Sequence, residues 1–209
     1  MLVVTDLPEV RTIDASKIVH RSLFCSGPVY VRPLAWGNAS HGVAIASELL
    51  TPSNELRTLT HVVCSDLVYF PDLLAPLLRS LLQVTSPPFS TIHSVTNPGA
   101  TVAIAYKVRS QTKETPFWAA FGLWFTFKPV LVKETSSGKV GWQRLGSSSE
   151  DVMFIFVAHR RPESYAWKIP VEDMDLLAGR GARGTDTAKA DDTFEILLFM
   201  ALESDEPEE

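Results

Sequence analysis

Asp66 and Tyr69 lie three residues apart, directly after the apolar run His61-Val62-Val63-Cys64. A carboxylate can hold a cation by a charge-assisted hydrogen bond, and a phenol at that spacing can flank it. In open α/β sheets ligands bind in the crevice at the carboxyl ends of the strands, so Asp66 at a strand end is placed to act. The alternative is that Asp66 caps the following helix and Tyr69 is a half-buried aromatic. Asp6 poses the same choice after Leu2-Val3-Val4-Thr5. Its carboxylate can accept from both hydroxyls of a ribose, or it can cap a helix with Pro8 in the first turn and Glu9 three residues on. Trp36, beside Gly37, can lay its indole on a flat heterocycle or pack at the rim of a core.

The elements that must position these residues follow from periodicity. Residues 61–64 read as a buried strand, and Leu73, Leu74, Leu77, Leu78, Leu81 and Leu82 draw one apolar stripe down the next helix, with Pro76 at its first turn or at a kink. Together they form half of a β-α-β unit. Upstream, the pattern predicts a strand at 2–5, a helix over 13–19, a strand at 28–34 between prolines, and a helix capped by Asn38 that runs to Leu50. Downstream it predicts a strand at 101–108 whose Lys107 and Arg109 reach solvent. Thr115-Pro116 should then open a helix with Phe117, Trp118, Phe121, Trp124 and Phe125 on its aromatic face. Residues 129–133 and 152–158 read as an antiparallel strand pair separated by a glycine- and serine-rich loop. His159-Arg160-Arg161 reads as a solvated basic strand end, Gly179 to Gly184 as a flexible loop, and 193–202 as an apolar element of undecided type.

The chain has 209 residues, 45% of them hydrophobic and 21% charged, which suits one globular domain. The formal net charge of -5 argues against a nucleic-acid partner and suits a cationic one. The two cysteines, Cys25 and Cys64, make no disulfide framework, so a reducing, cytoplasmic compartment is expected. No apolar run reaches the roughly 20 residues of a membrane helix. The five histidines are scattered without ligand spacing, so neither a metal nor a membrane is expected as a partner.

Asp66-Leu67-Val68-Tyr69, between an apolar strand and a leucine-rich helix, resembles the DxxY motif of the seven-β-strand protein-lysine methyltransferases, which use S-adenosylmethionine. Val4 to Glu9 is similar to that family's second strand, whose terminal acid contacts the cofactor ribose, and Leu34-Ala35-Trp36-Gly37 is similar to the segment that lines its adenine pocket. The resemblance spans residue 3 to about residue 165. It implies an α/β fold, a mostly parallel, doubly wound sheet with an antiparallel strand pair at one edge, and helices on both faces. The family's first strand and glycine-rich turn, which lie at the sheet centre, are expected to be missing. The domain implied is 1–165, followed by an extension at 166–203 on the same domain and a disordered acidic tail at 204–209. Asp66 and Tyr69 are then the catalytic pair, with Asp6, Trp36 and Ser65 binding S-adenosylmethionine and a protein lysine as substrate. Methylation of a small nicotinamide-like amine, or a binding role without the cofactor, are the alternatives.

Overall fold

The structure, a computed structural model, describes residues 2–6, 29–48, 58–92, 99–134, 141–145 and 152–203. The helix expected over 13–19 and the tail at 204–209 lie outside the described residues. Strands β1 (Leu2–Asp6) and β2 (Val29–Pro33) pair in parallel, Leu2 opposite Val29 and Asp6 opposite Pro33. Helix α1 (Ala39–Glu48) follows, and Asn38 caps it: the Asn38 side-chain oxygen accepts from the N–H groups of Ser40 at 3.1 Å and His41 at 3.3 Å. Next come β3 (His61–Ser65), α2 (Pro71–Val84), β4 (Thr101–Lys107) and α3 (Gln111–Trp124). Strands β5 (Phe125–Pro129), β6 (Leu131–Glu134), β7 (Gly141–Arg144) and β8 (Met153–Arg160) precede two short helices, α4 (Asp173–Leu177) and α5 (Thr193–Glu203).

The fold is α/β, but its sheet is mixed rather than mostly parallel. β3 and β4 are parallel, β8 lies antiparallel to β4, and β5 lies antiparallel to β8, giving the order β3-β4-β8-β5. The β1-β2 pair and the β6-β7 hairpin stand as separate two-stranded sheets, so β1 and β3 each keep one unpaired edge among the described residues. Helices cover one face only, among the described residues. Val102, Ile104 and Tyr106 of β4 and Phe154, Phe156 and Ala158 of β8 point into the core with α2 and α3. On the opposite face Ala103, Ala105, Ile155 and Val157 are half-buried and Val63 is 79% exposed.

The core is aromatic because α3 delivers large rings on one side and β8 delivers them on the other. Trp118 lies at its centre, with ring centroids 4.9 Å from Phe156, 5.0 Å from Tyr106 and 5.1 Å from Phe194. Phe121 stacks on Phe125 at 4.4 Å. α3 begins at Gln111 rather than at Thr115, which puts Pro116 inside the helix. The first turn is drawn inward because the Glu114 carboxylate is buried, accepting the Tyr106 hydroxyl at 2.5 Å and the Arg109 N–H at 3.2 Å. Pro76 likewise sits inside α2, whose first residue is Pro71. Phe125 belongs to a strand and not to the helical face: in Phe125-Thr126-Phe127-Lys128 the rings are buried and the polar residues exposed. Of the expected pair at 129–133 and 152–158, only the second holds as drawn. β8 is matched by β5, while β6 turns to β7.

A smaller cluster of Ile45, Ala46 and Phe89, with Val3, Leu34 and Leu59 against it, joins the β1-β2-α1 unit to the rest. The Gly37 N–H donates to the Ser80 hydroxyl at 2.8 Å, and the Gln83 side chain donates to the Ala39 carbonyl at 3.1 Å. The 166–203 segment contributes Leu176, Ala182, Phe194, Leu198 and Ala201 to the main core. Within it, Gly179 and Gly181 have φ of 71° and 78°. A Cβ on Gly179 would meet the Lys189 carbonyl oxygen at 2.3 Å, so this turn is tightly packed rather than loose.

Arg160 overturns the reading of a solvated basic strand end. It is 3% exposed and donates to the Leu82 carbonyl at 2.7 Å, to the Ser164 hydroxyl at 3.0 Å and to the Ser86 hydroxyl, with its guanidinium 4.5 Å from the Tyr165 ring centroid. Burial lowers its pKa to about 10. The C-terminal carbonyls of α2 provide the negative dipole end that such a cation needs.

Candidate functional site

β3 ends at Ser65, and Asp66 follows in the left-handed region with φ of 60°. Aspartate tolerates this conformation better than most residues because its short polar chain bonds locally. The Asp66 N–H donates to the Ala105 carbonyl at 2.9 Å, which extends the β3-β4 ladder by one bond and turns the side chain out of the strand. Asp66 does not cap α2. The cap position is Phe70, which makes no side-chain bond. The carboxylate instead meets Arg109, two residues past the end of β4, at 2.5 and 2.6 Å from its Nη2.

Tyr69 completes the group. Its ring centroid lies 5.5 Å from the Arg109 guanidinium carbon and 4.2 Å from the Phe70 centroid. The hydrogen bond that Arg109 donates to Asp66, with the carboxylate's charge, raises the Arg109 pKa above its ordinary value. Side-chain exposure of 54% for Asp66 and 37% for Arg109 leaves the pair within reach of water. Beneath it, burial and then the Glu114 hydrogen bond push the Tyr106 phenol up. Glu114 therefore ties Arg109 to the core through its main chain while Asp66 holds it through its side chain. The arrangement is a cation-binding corner, a carboxylate and an aromatic face converging on one positive group.

Asp6 closes β1 opposite Pro33, and Trp36 comes three residues past the end of β2. Trp36 is half-buried and its ring packs against the main core. Ser65 is exposed at the end of β3. All five expected site residues thus occur at or just beyond the carboxyl ends of parallel strands. The described contacts bring Asp66 and Tyr69 together around Arg109; they do not link Trp36 to that corner. Arg109 and Glu114 were missed from the sequence, where Arg109 reads as a solvent cation. Its position two residues past the end of β4 was the only signal.

Among the described residues no three His, Cys, Asp or Glu side chains come together as metal ligands, and no helix is long and apolar enough to cross a membrane. Compared with models of known protein families and with curated protein sequences, the chain matches none.

Proposed function

We propose that the chain is an S-adenosylmethionine-dependent N-methyltransferase of the protein-lysine kind. The observation that carries this reading is the Asp66-Tyr69 corner: its carboxylate engages a cation at a strand end instead of capping α2, with a tyrosine ring beside the same cation. The antiparallel strands β8 and β5 at one side of the mixed order β3-β4-β8-β5 support the reading, since the family that the Asp66-to-Tyr69 motif resembles closes its sheet with an antiparallel pair. In that sheet one further strand stands between those that end at Asp6 and at Asp66.

On this reading Asp6 takes the ribose hydroxyls, Trp36 the adenine and Ser65 a further cofactor contact, each residue lying at or just past the carboxyl end of a parallel strand. The described residues do not suit the cofactor's amino-acid end. The N–H groups of Asp66 and Gly37, both near strand ends, are already bonded to Ala105 and Ser80. When bound, the cofactor supplies an electrophilic methyl group. The chain's own part is to receive and orient the lysine: Asp66 draws in the ammonium and Tyr69 restricts its approach. A carboxylate favours the charged amine, so the proton passes to water before the nitrogen can act.

Methyl incorporation from labelled S-adenosylmethionine into cell-extract lysines tests the reading, on the 209-residue chain and on a form extended at its N-terminus. Incorporation that falls steeply with Asp66→Asn and less with Tyr69→Phe supports it; equal incorporation by all three sinks it. A second reading, a methyltransferase-like binding or structural domain without cofactor, is favoured by Arg109 already filling the corner. Calorimetric titration with S-adenosylmethionine separates the two, because only the first requires binding.

A further inference from the structure

The last helix turns one apolar side inward and another outward. Phe194, Leu198 and Ala201 of α5 are buried against the core, yet Ile196 is 51%, Phe199 62%, Met200 60% and Leu202 51% exposed. Isolated exposed apolar residues are ordinary, but four on one helix within seven positions form a patch of the kind that marks an interaction surface. The apolar element left undecided in type by sequence is thus a helix without a solvent-facing polar side of the usual kind. An open groove of about 630 Å³ runs along it, lined by Gln111, Asp192, Glu195, Ile196, Phe199 and Met200.

Charge selects the occupant. Asp192 and Glu195 line the groove and no lysine or arginine does, whereas Asp191 turns inward to Arg161 at 3.7 Å. A second copy of the chain laid on α5 would offer these two carboxylates no counter-charge from its own groove lining, which disfavours self-pairing. An anionic membrane surface would be repelled by the same carboxylates. We propose that the outer face of α5 docks an amphipathic helix of another protein, with aliphatic residues at i, i+3, i+4 and i+7 spacing on one side and lysine or arginine on its flanks. Ile196, Phe199 and Met200 take the apolar stripe, as in other helix-in-groove complexes. Asp192 and Glu195 face the basic flank and steer its approach. The groove lining shares no residue with the Asp66 corner, and the proposal does not depend on the methyltransferase reading.

The test uses the full 209-residue chain and two designed 18-residue helical peptides with the same leucine stripe, one flanked by lysines and one by glutamates. Fluorescence anisotropy is expected to show binding of the lysine peptide, weakened at least tenfold by 0.5 M salt and by Asp192→Asn/Glu195→Gln, and no binding of the glutamate peptide. Phe199→Ser/Met200→Ser, at exposed positions, should abolish binding while leaving the circular dichroism and thermal midpoint unchanged. Equal binding of both peptides, or undiminished binding by the double serine variant, would overturn the proposal. So would a concentration-dependent dimer in light scattering that the serine variant dissolves, or sedimentation of the chain with phosphatidylserine vesicles.

Discussion

Replacing Arg109 with glutamine empties the cationic half of the Asp66 corner and leaves the carboxylate in place. The two side chains are 54% and 37% exposed, so their pairing stabilises the fold by only about 0.2–1 kcal/mol. The Arg109 N–H keeps its bond to the buried Glu114 whatever side chain follows it. For a chain of this size a loss of 1 kcal/mol shifts the thermal midpoint by about 2–4 °C, so Arg109→Gln should melt no more than about 4 °C below the wild type. An incoming lysine must displace Arg109 from Asp66, and the same 1 kcal/mol is then worth up to about fivefold in lysine affinity. The assay is a titration of isotope-labelled chain with a blocked lysine amide, read at the Asp66 amide by NMR. Arg109→Gln should tighten binding by up to about fivefold, and Asp66→Asn/Arg109→Gln should remove it. Weaker binding by Arg109→Gln would refute competition and assign Arg109 to orienting the carboxylate.

Other outcomes follow from single residues. Asp66→Asn should hold stability within about 1 kcal/mol, since asparagine also accepts a φ near 60°, whereas Asp66→Ala should lose about 1–2 kcal/mol through backbone strain, read by urea unfolding. Burial pushes the Cys64 thiol up to about 12. Its folded pKa is thus raised above the unfolded value, so its contribution is complete below about 8.5 and is lost as pH rises toward the folded value. Peptide mapping after iodoacetamide at pH 8 should find Cys64 unmodified in the folded chain and modified in urea.

Much of this architecture was legible where side-chain period and punctuation agree. Leu74, Leu77, Leu78, Leu81 and Leu82 are buried as their spacing implies, and Asn38 caps α1 as an asparagine before a helix should. β5 was hidden because α3 passes into it with no connecting residue, Gly122 lying within the last helical turn, so Phe125 completed an aromatic helical stripe by sequence alone. β7 was hidden for the opposite reason, lying in a glycine- and serine-rich segment whose pairing depends on β6. At the site, the Asp66-Tyr69 spacing was readable, but Arg109 comes from 43 residues away and only the β3-β4 register brings it there. Arg160 defeats composition outright: carbonyls and hydroxyls, rather than a carboxylate, make its burial tolerable.

The direct passage from Trp124 at the end of α3 to Phe125 at the start of β5 leaves no slack between them. One residue added in this passage would turn the preceding helix by about 100° relative to the strand. Alternatively, it would slide β5 by one position and carry Phe125 and Phe127 to the solvent side. Either outcome takes stacked rings out of the centre of the molecule. Insertions and deletions should therefore be absent from residues 117–128 in any functional descendant of this chain, while the β6-β7 hairpin, whose ladder joins no other strand among the described residues, is free to change length.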